Sequence, residues 1–125
     1  MSLTKPSARL ALAFLASTVF APAGAVAHAF LDHTIPSVGS TVHGSPAEVR
    51  AWFTQPLEPA FSSLRVVDQN SAQVDRQNSA VDPSDRTVIK VSLPSLPPGR
   101  YKVLWHALSV DTHTTEGSFT FEVVP

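Results

Sequence analysis

The stretch "RYKVLWHAL", residues 100–108, decides the fold. In it Tyr101, Val103 and Trp105 alternate with Lys102, Leu104 and His106. A period of two places each set on its own face of an extended chain, which predicts a half-buried antiparallel strand. The same pattern returns downstream in "SFTFEVV", where Phe119, Phe121 and Val123 share a side. Upstream, "AEVRAWFTQP" sets Val49, Ala51 and Phe53 against Arg50, Trp52 and Thr54. "SLRVVD" and "RTVIKVSL" are further strand candidates. The segments between them, "SVGSTVHGSP", "QPLEPAF", "DQNSAQ", "DPSD" and "LPSLPPG", are rich in turn formers. Eleven prolines and five glycines, many of them at these breaks, argue against long helices. About seven short strands with frequent turns predict an all-β chain, an Ig-like Greek-key β-sandwich. "PPGRY" adds support, because a tyrosine just after a Pro-Gly turn resembles a tyrosine corner. The echo between "QNSAQVD" and "QNSAVD" is too short for a repeat architecture and predicts a polar hairpin with a solvated edge.

A chain of 125 residues with net charge −1 and no cysteine allows one domain, with no disulfide to help it fold. Its cations are scattered, with no basic stripe interleaved with aromatics, so nucleic acid is not expected as a partner. The first 27 residues differ from the rest. Lys5 and Arg9 precede the apolar run "LALAFLASTVFA", Pro22 and Gly24 break it, and Ala25-Val26-Ala27 is a small-x-small cleavage pattern. This is the layout of a secretory signal peptide, over residues 1–27, with an apolar core too short for a comfortable membrane span. Its removal leaves a domain over residues 28–125 with seven basic and ten acidic residues, exported to the bacterial periplasm or beyond.

Motifs for catalysis are scarce: the chain lacks a nucleophile elbow, a phosphate-cradling glycine loop and paired histidines at helical spacing. The chemistry-bearing residues are five histidines: His28, His33, His43, His106 and His113. Asp111 and His113, in "SVDTHTTEG", are two apart and leave the same face of extended backbone, making a half-site for a divalent metal. The pair alone is weak, since Asp111 can equally cap a turn or form a surface ion pair. Cleavage after Ala27 changes that weighing, because a new N-terminal His28 carries a free α-amine beside its own imidazole. Amine, two imidazoles and a carboxylate form an N,O set suited to Cu(II). Cleavage after Ala25 would leave Val26-Ala27-His28, which can take Cu(II) through the amine, two backbone amides and the imidazole without Asp111 or His113. His33 falls on the opposite strand face from His28, His43 in a solvated Gly/Ser-rich loop, and His106 on a packing or surface position. Trp52 and Trp105 read as core or half-buried residues.

With both ends in view, the chain resembles the CopC family of periplasmic copper-binding proteins. The resemblance rests on "HAFLDHTIPSVGS" at the start, "WFTQPLEP" in the middle and "LPPGRYKVLWHALSVDTHTTEGSFTFEV" at the end. It implies a Greek-key β-sandwich that binds Cu(II) through His28, Asp111 and His113, acting in copper homeostasis and resistance. It also implies partners such as a CopD-like inner-membrane protein or other copper-handling proteins. Two departures stand out. Met1 is the only methionine, so the thioether Cu(I) site of some family members is not expected. Gln55 replaces the glutamate of the family's Phe-Ser-Glu-Pro segment, and would be a neutral hydrogen-bonding neighbour of the ion.

The leading expectation is therefore a copper carrier or buffer and not an enzyme. Two alternatives stand beside it. One is a histidine-brace copper redox enzyme, which the short chain and its few aromatics disfavour. The other is a metal-free Ig-like secreted module.

Overall fold

The expected alternation becomes two long strands that form a hairpin. In the computed structural model, which describes residues 29–125, β7 (Gly99–Leu108) pairs antiparallel with β8 (Thr114–Val124) from Gly99 opposite Val123 to Leu108 opposite Thr114. Tyr101, Val103, Phe119, Phe121 and Val123 are buried as the period of two requires. The signal peptide expected over residues 1–27, and His28 after it, lie outside the described residues.

Six further strands complete the described part of the chain: β1 (Leu31–Ile35), β2 (Thr41–His43), β3 (Glu48–Phe53), β4 (Ser63–Val67), β5 (Ala80–Asp82) and β6 (Asp85–Ser92). They form two four-stranded sheets, ordered β1-β3-β6-β5 and β2-β8-β7-β4. The predicted β-sandwich is present, with eight strands where about seven were expected. The inward faces meet in one cluster. Val49, Ala51, Phe53, Ile89 and Val91 come from the first sheet, and Leu64, Val66, Tyr101, Val103, Phe119 and Phe121 from the second. Each large apolar side chain in it contributes roughly 1.5–3 kcal/mol by leaving water. Across the second sheet's inner face, Tyr101 stacks on Phe121 at 5.7 Å. The Tyr101 hydroxyl donates to the Pro97 carbonyl four residues upstream, the bond a tyrosine corner requires.

One local expectation changes, and two others gain detail. His43 lies on β2 and not in a loop. The strand is three residues long and pairs parallel with β8, and its flanking glycines and serines hide it from a periodicity test. Trp52 is half-buried on the outer face of the first sheet, where His33 stacks on it at 4.3 Å and 11° between planes. The polar echo does close a hairpin-like turn, with Val67 bridging Gln73, and its exposed tip spans 69–73. Beyond that tip, Asp75 and Ser79 do something the composition did not suggest.

β4 is an edge strand, so alternate N–H groups point away from β7 and need other partners. The Val66 N–H donates to Asp75 Oδ2 at 2.7 Å, and the Leu64 N–H donates to Ser79 Oγ at 2.7 Å. Asp75 is 8% exposed and its other oxygen accepts the Gln77 N–H at 2.7 Å. The carboxylate thus takes the place of a neighbouring strand. Trp105 depends on a different local feature: it lies across β8 at Gly117, where an added Cβ would overlap the indole ring.

Asp75→Ala leaves the buried Val66 N–H without its acceptor and is expected to cost about 1–3 kcal/mol. Urea denaturation measures it, and a loss near zero would show that β4 does not depend on this cap.

Candidate metal centre

The β7–β8 connection is the five-residue loop 109–113, and it closes on itself. The Ser109 N–H donates to the His113 carbonyl at 3.0 Å, and the Thr112 N–H to the Ser109 carbonyl at 2.9 Å. The closure turns Thr112 to φ +74°, a left-handed conformation that a β-branched residue seldom adopts. Ser109 holds the loop from beneath. It is 1% exposed, and its hydroxyl donates to the Asp111 carboxylate.

That arrangement brings Asp111 and His113 together, as their spacing predicted. Asp111 Oδ1 lies 3.2 Å from His113 Nδ1, and both side chains are 41% exposed. The same oxygen accepts the His113 backbone N–H at 3.3 Å. The Ser109 hydroxyl does most to hold the Asp111 carboxyl below the ordinary carboxylate value; burial opposes it, and smaller contributions from His113 add to the lowering. Asp111 is therefore an ionised oxygen donor at neutral pH. Two donors bound side by side to one first-row ion, at about 2 Å each, sit about 3 Å apart, and this pair already has that separation.

Two other segments meet the loop. The connection after β3 runs alongside it, with the Val110 N–H donating to the Pro56 carbonyl at 3.1 Å and the Glu58 N–H to the Leu108 carbonyl at 2.8 Å. The N-terminal segment lies on the other side of that connection. The Phe30 N–H donates to Thr54 Oγ1 at 2.9 Å, and the Thr54 N–H returns to the Phe30 carbonyl at 2.9 Å. Gln55, half-buried, sits between the residue tied to the N-terminal segment and the residue tied to the loop. Ala29 is fully buried, and its carbonyl accepts the Thr115 hydroxyl at 2.7 Å, two residues beyond His113.

His28 itself lies outside the described residues. Among the described residues no three His, Asp or Glu side chains converge to hold a metal, so Asp111 and His113 stand there as a pair. His106 is a structural tie, as expected of a packing or surface position. Its Nδ1 faces the Phe61 carbonyl at 2.9 Å and its Nε2 faces Glu116 at 3.5 Å. Neither Thr115 nor Ser109 stood among the expected site residues. A hydroxyl two residues before Asp111 was the available signal for Ser109. Thr115 offered none, because its partner is 86 residues away.

Comparison with known proteins agrees with this architecture. Residues 31–124 match the family model described as the CopC domain. "Protein YobA" of Escherichia coli (strain K12) is 33% identical over 124 residues, covering 98% of this chain and 99% of that one. The crystal structure of CopC from Methylosinus trichosporium OB3b superposes with a TM-score of 0.70 at 31% identity, covering 78% of this chain and 95% of that one. PcoC from Escherichia coli, described as a methionine-rich copper resistance protein, superposes at 0.66 with 28% identity, covering 78% of this chain and all of that one. This chain differs from it in having a single methionine, Met1.

Ser109→Ala is expected to move the Asp111 pKa upward toward the ordinary carboxylate value, read by carboxyl-carbon NMR titration. Because the folded-state value is depressed, what Asp111 adds to stability is present above the ordinary carboxylate range and lost as pH falls through the depressed value. The variant should shrink that acid-side loss. An unmoved Asp111 midpoint would assign the depression to His113 instead.

Proposed function

The chain belongs to the CopC family, and from that premise we propose that it is a periplasmic Cu(II) carrier or buffer in copper homeostasis and resistance. Its cargo is one Cu(II), held by the α-amine and imidazole of a processed N-terminal His28 together with Asp111 and His113. The observation that carries this reading is the bond between the Ala29 carbonyl and Thr115. It fixes the residue next to His28 against the start of β8, beside the loop that pairs Asp111 with His113. A donor attached to Ala29 needs little further ordering to reach that pair, which lowers the entropic cost of assembling the site.

The remaining parts of the proposal follow from the same end of the sandwich. Gln55 serves as a neutral hydrogen-bonding neighbour of the ion, so the site carries the single negative charge of Asp111. The donors are nitrogen and oxygen, which suits Cu(II) and leaves no thioether for Cu(I). Phe30, Phe61 and Val110, at 58%, 62% and 45% exposed, stand on the three segments that meet there. An apolar rim around an ion site supports handing the ion to a docked partner, such as a CopD-like inner-membrane protein. The carrier reading requires no catalytic step.

Protein exported and processed by a cell, with its N-terminus fixed by intact mass, is expected to bind one equivalent of Cu(II) in a competitive titration. Asp111→Ala or His113→Ala should each weaken binding by at least about tenfold, since losing a ligand costs at least as much as losing its hydrogen-bonded support. Tight binding indifferent to both would confine the ion to the N-terminal peptide, and weak non-stoichiometric binding would remove the copper assignment.

The affinity should also fall as pH drops from about 8 to about 6, because the α-amine must lose its proton to bind. The same titration across that range checks it. A flat profile would contradict coordination by the amine.

A further inference from the structure

The outer face of the second sheet carries a recess that the metal site does not use. Its volume is about 380 Å³, within the range of small-molecule sites. Arg65 of β4 and Lys102 and Arg100 of β7 stand around it. The register puts Arg65 opposite Leu104 and Val67 opposite Lys102. Arg65 and Lys102 are thus diagonal neighbours on one face, and Arg100 follows two residues along on the same face. Three like charges so arranged repel one another, at a cost to stability.

Among the described residues, none of the ion pairs within 4.0 Å involves any of these three cations. Two carboxylates lie nearby. Asp68 lines the recess, but its Oδ1 accepts the Asn70 and Ala72 N–H groups at 2.8 and 3.0 Å. Glu122 faces Arg100 across the β7–β8 ladder and lies outside the recess lining. The floor is apolar, formed by buried Val67 and half-buried Leu104. Cations around an apolar floor suit a ligand with a short carbon body and anionic groups at its edge. A flat basic face would suit a membrane surface better.

We propose that this recess binds a small organic polyanion carrying two or more oxyanion groups on a short carbon body. Arg65 and Arg100 offer forked guanidinium donors to its oxyanions, and Lys102 offers a compact third charge between them. The site is separate from the metal centre, since Lys102 lies roughly 20 Å along β7 from Ser109. It stands whether or not the chain binds copper.

The test is a titration of the processed, metal-free, ¹⁵N-labelled protein with tricarballylate at constant ionic strength, followed by amide shifts. Chloride and acetate serve as controls. Saturable shifts around Arg65, Lys102, Leu104 and Thr120 are expected. The Arg65→Gln/Lys102→Gln double variant, whose spectrum should otherwise overlay the parent, is expected to weaken binding by at least about tenfold. Non-saturable shifts that chloride or acetate reproduces would overturn the proposal, as would saturation unchanged in the double variant. Co-sedimentation with phosphatidylglycerol vesicles that tricarballylate fails to compete would also overturn it, and would make this face a membrane-docking surface.

Discussion

The β7–β8 ladder, paired from Gly99 and Val123 to Leu108 and Thr114, is the constraint on which the rest of the structure depends. Its inward residues, Tyr101, Val103, Phe119 and Phe121, supply much of the buried cluster. Its closed end is a five-residue loop that must reverse the chain while keeping the last rung in register, which forces Thr112 to a positive φ. The buried Ser109 hydroxyl holds that strained turn, and Asp111 and His113 are oriented as part of the same arrangement. The candidate centre is thus a by-product of how the hairpin closes. Its precision comes from the two longest strands in the described chain and not from a flexible surface loop.

The parts of this architecture that could be read in advance are those governed by short-range rules. Alternation placed β3, β7 and β8 and separated Val49, Ala51 and Phe53 from their outward neighbours, because a half-buried strand must alternate. The Asp111–His113 juxtaposition followed from two-residue spacing. What could not be read rests on partners distant in the chain. β2 exists because β8 offers it a parallel edge, and nothing within "TVH" announces a strand. Asp75 looked like one more polar residue in a Gln/Asn/Ser run, yet it caps an edge strand whose N–H groups would otherwise lack acceptors. The Thr115 bond to Ala29 belongs to the same class, and it bears most directly on function.

Charge is distributed unevenly over the fold. The loop end carries Asp111, and Glu116 faces His106 two rungs up the ladder from Leu108 and Thr114. The outer face of β4 and β7 carries Arg65, Arg100 and Lys102 around a recess. The two ends therefore suit different chemistry, a cation at the hairpin tip and an anion toward its base. A chain with no cysteine keeps both on one scaffold through burial, turn bonds and edge caps alone.

The most direct test of the central claim, that the amine of residue 28 and the Asp111–His113 pair meet on one ion, is electron paramagnetic resonance of the Cu(II)-loaded protein in two forms. One form begins at His28 and the other carries a single alanine added before it. The account predicts that the added residue changes the copper spectrum through loss of the chelating amine beside its imidazole, while the fold stays intact. Identical spectra from the two forms would contradict it.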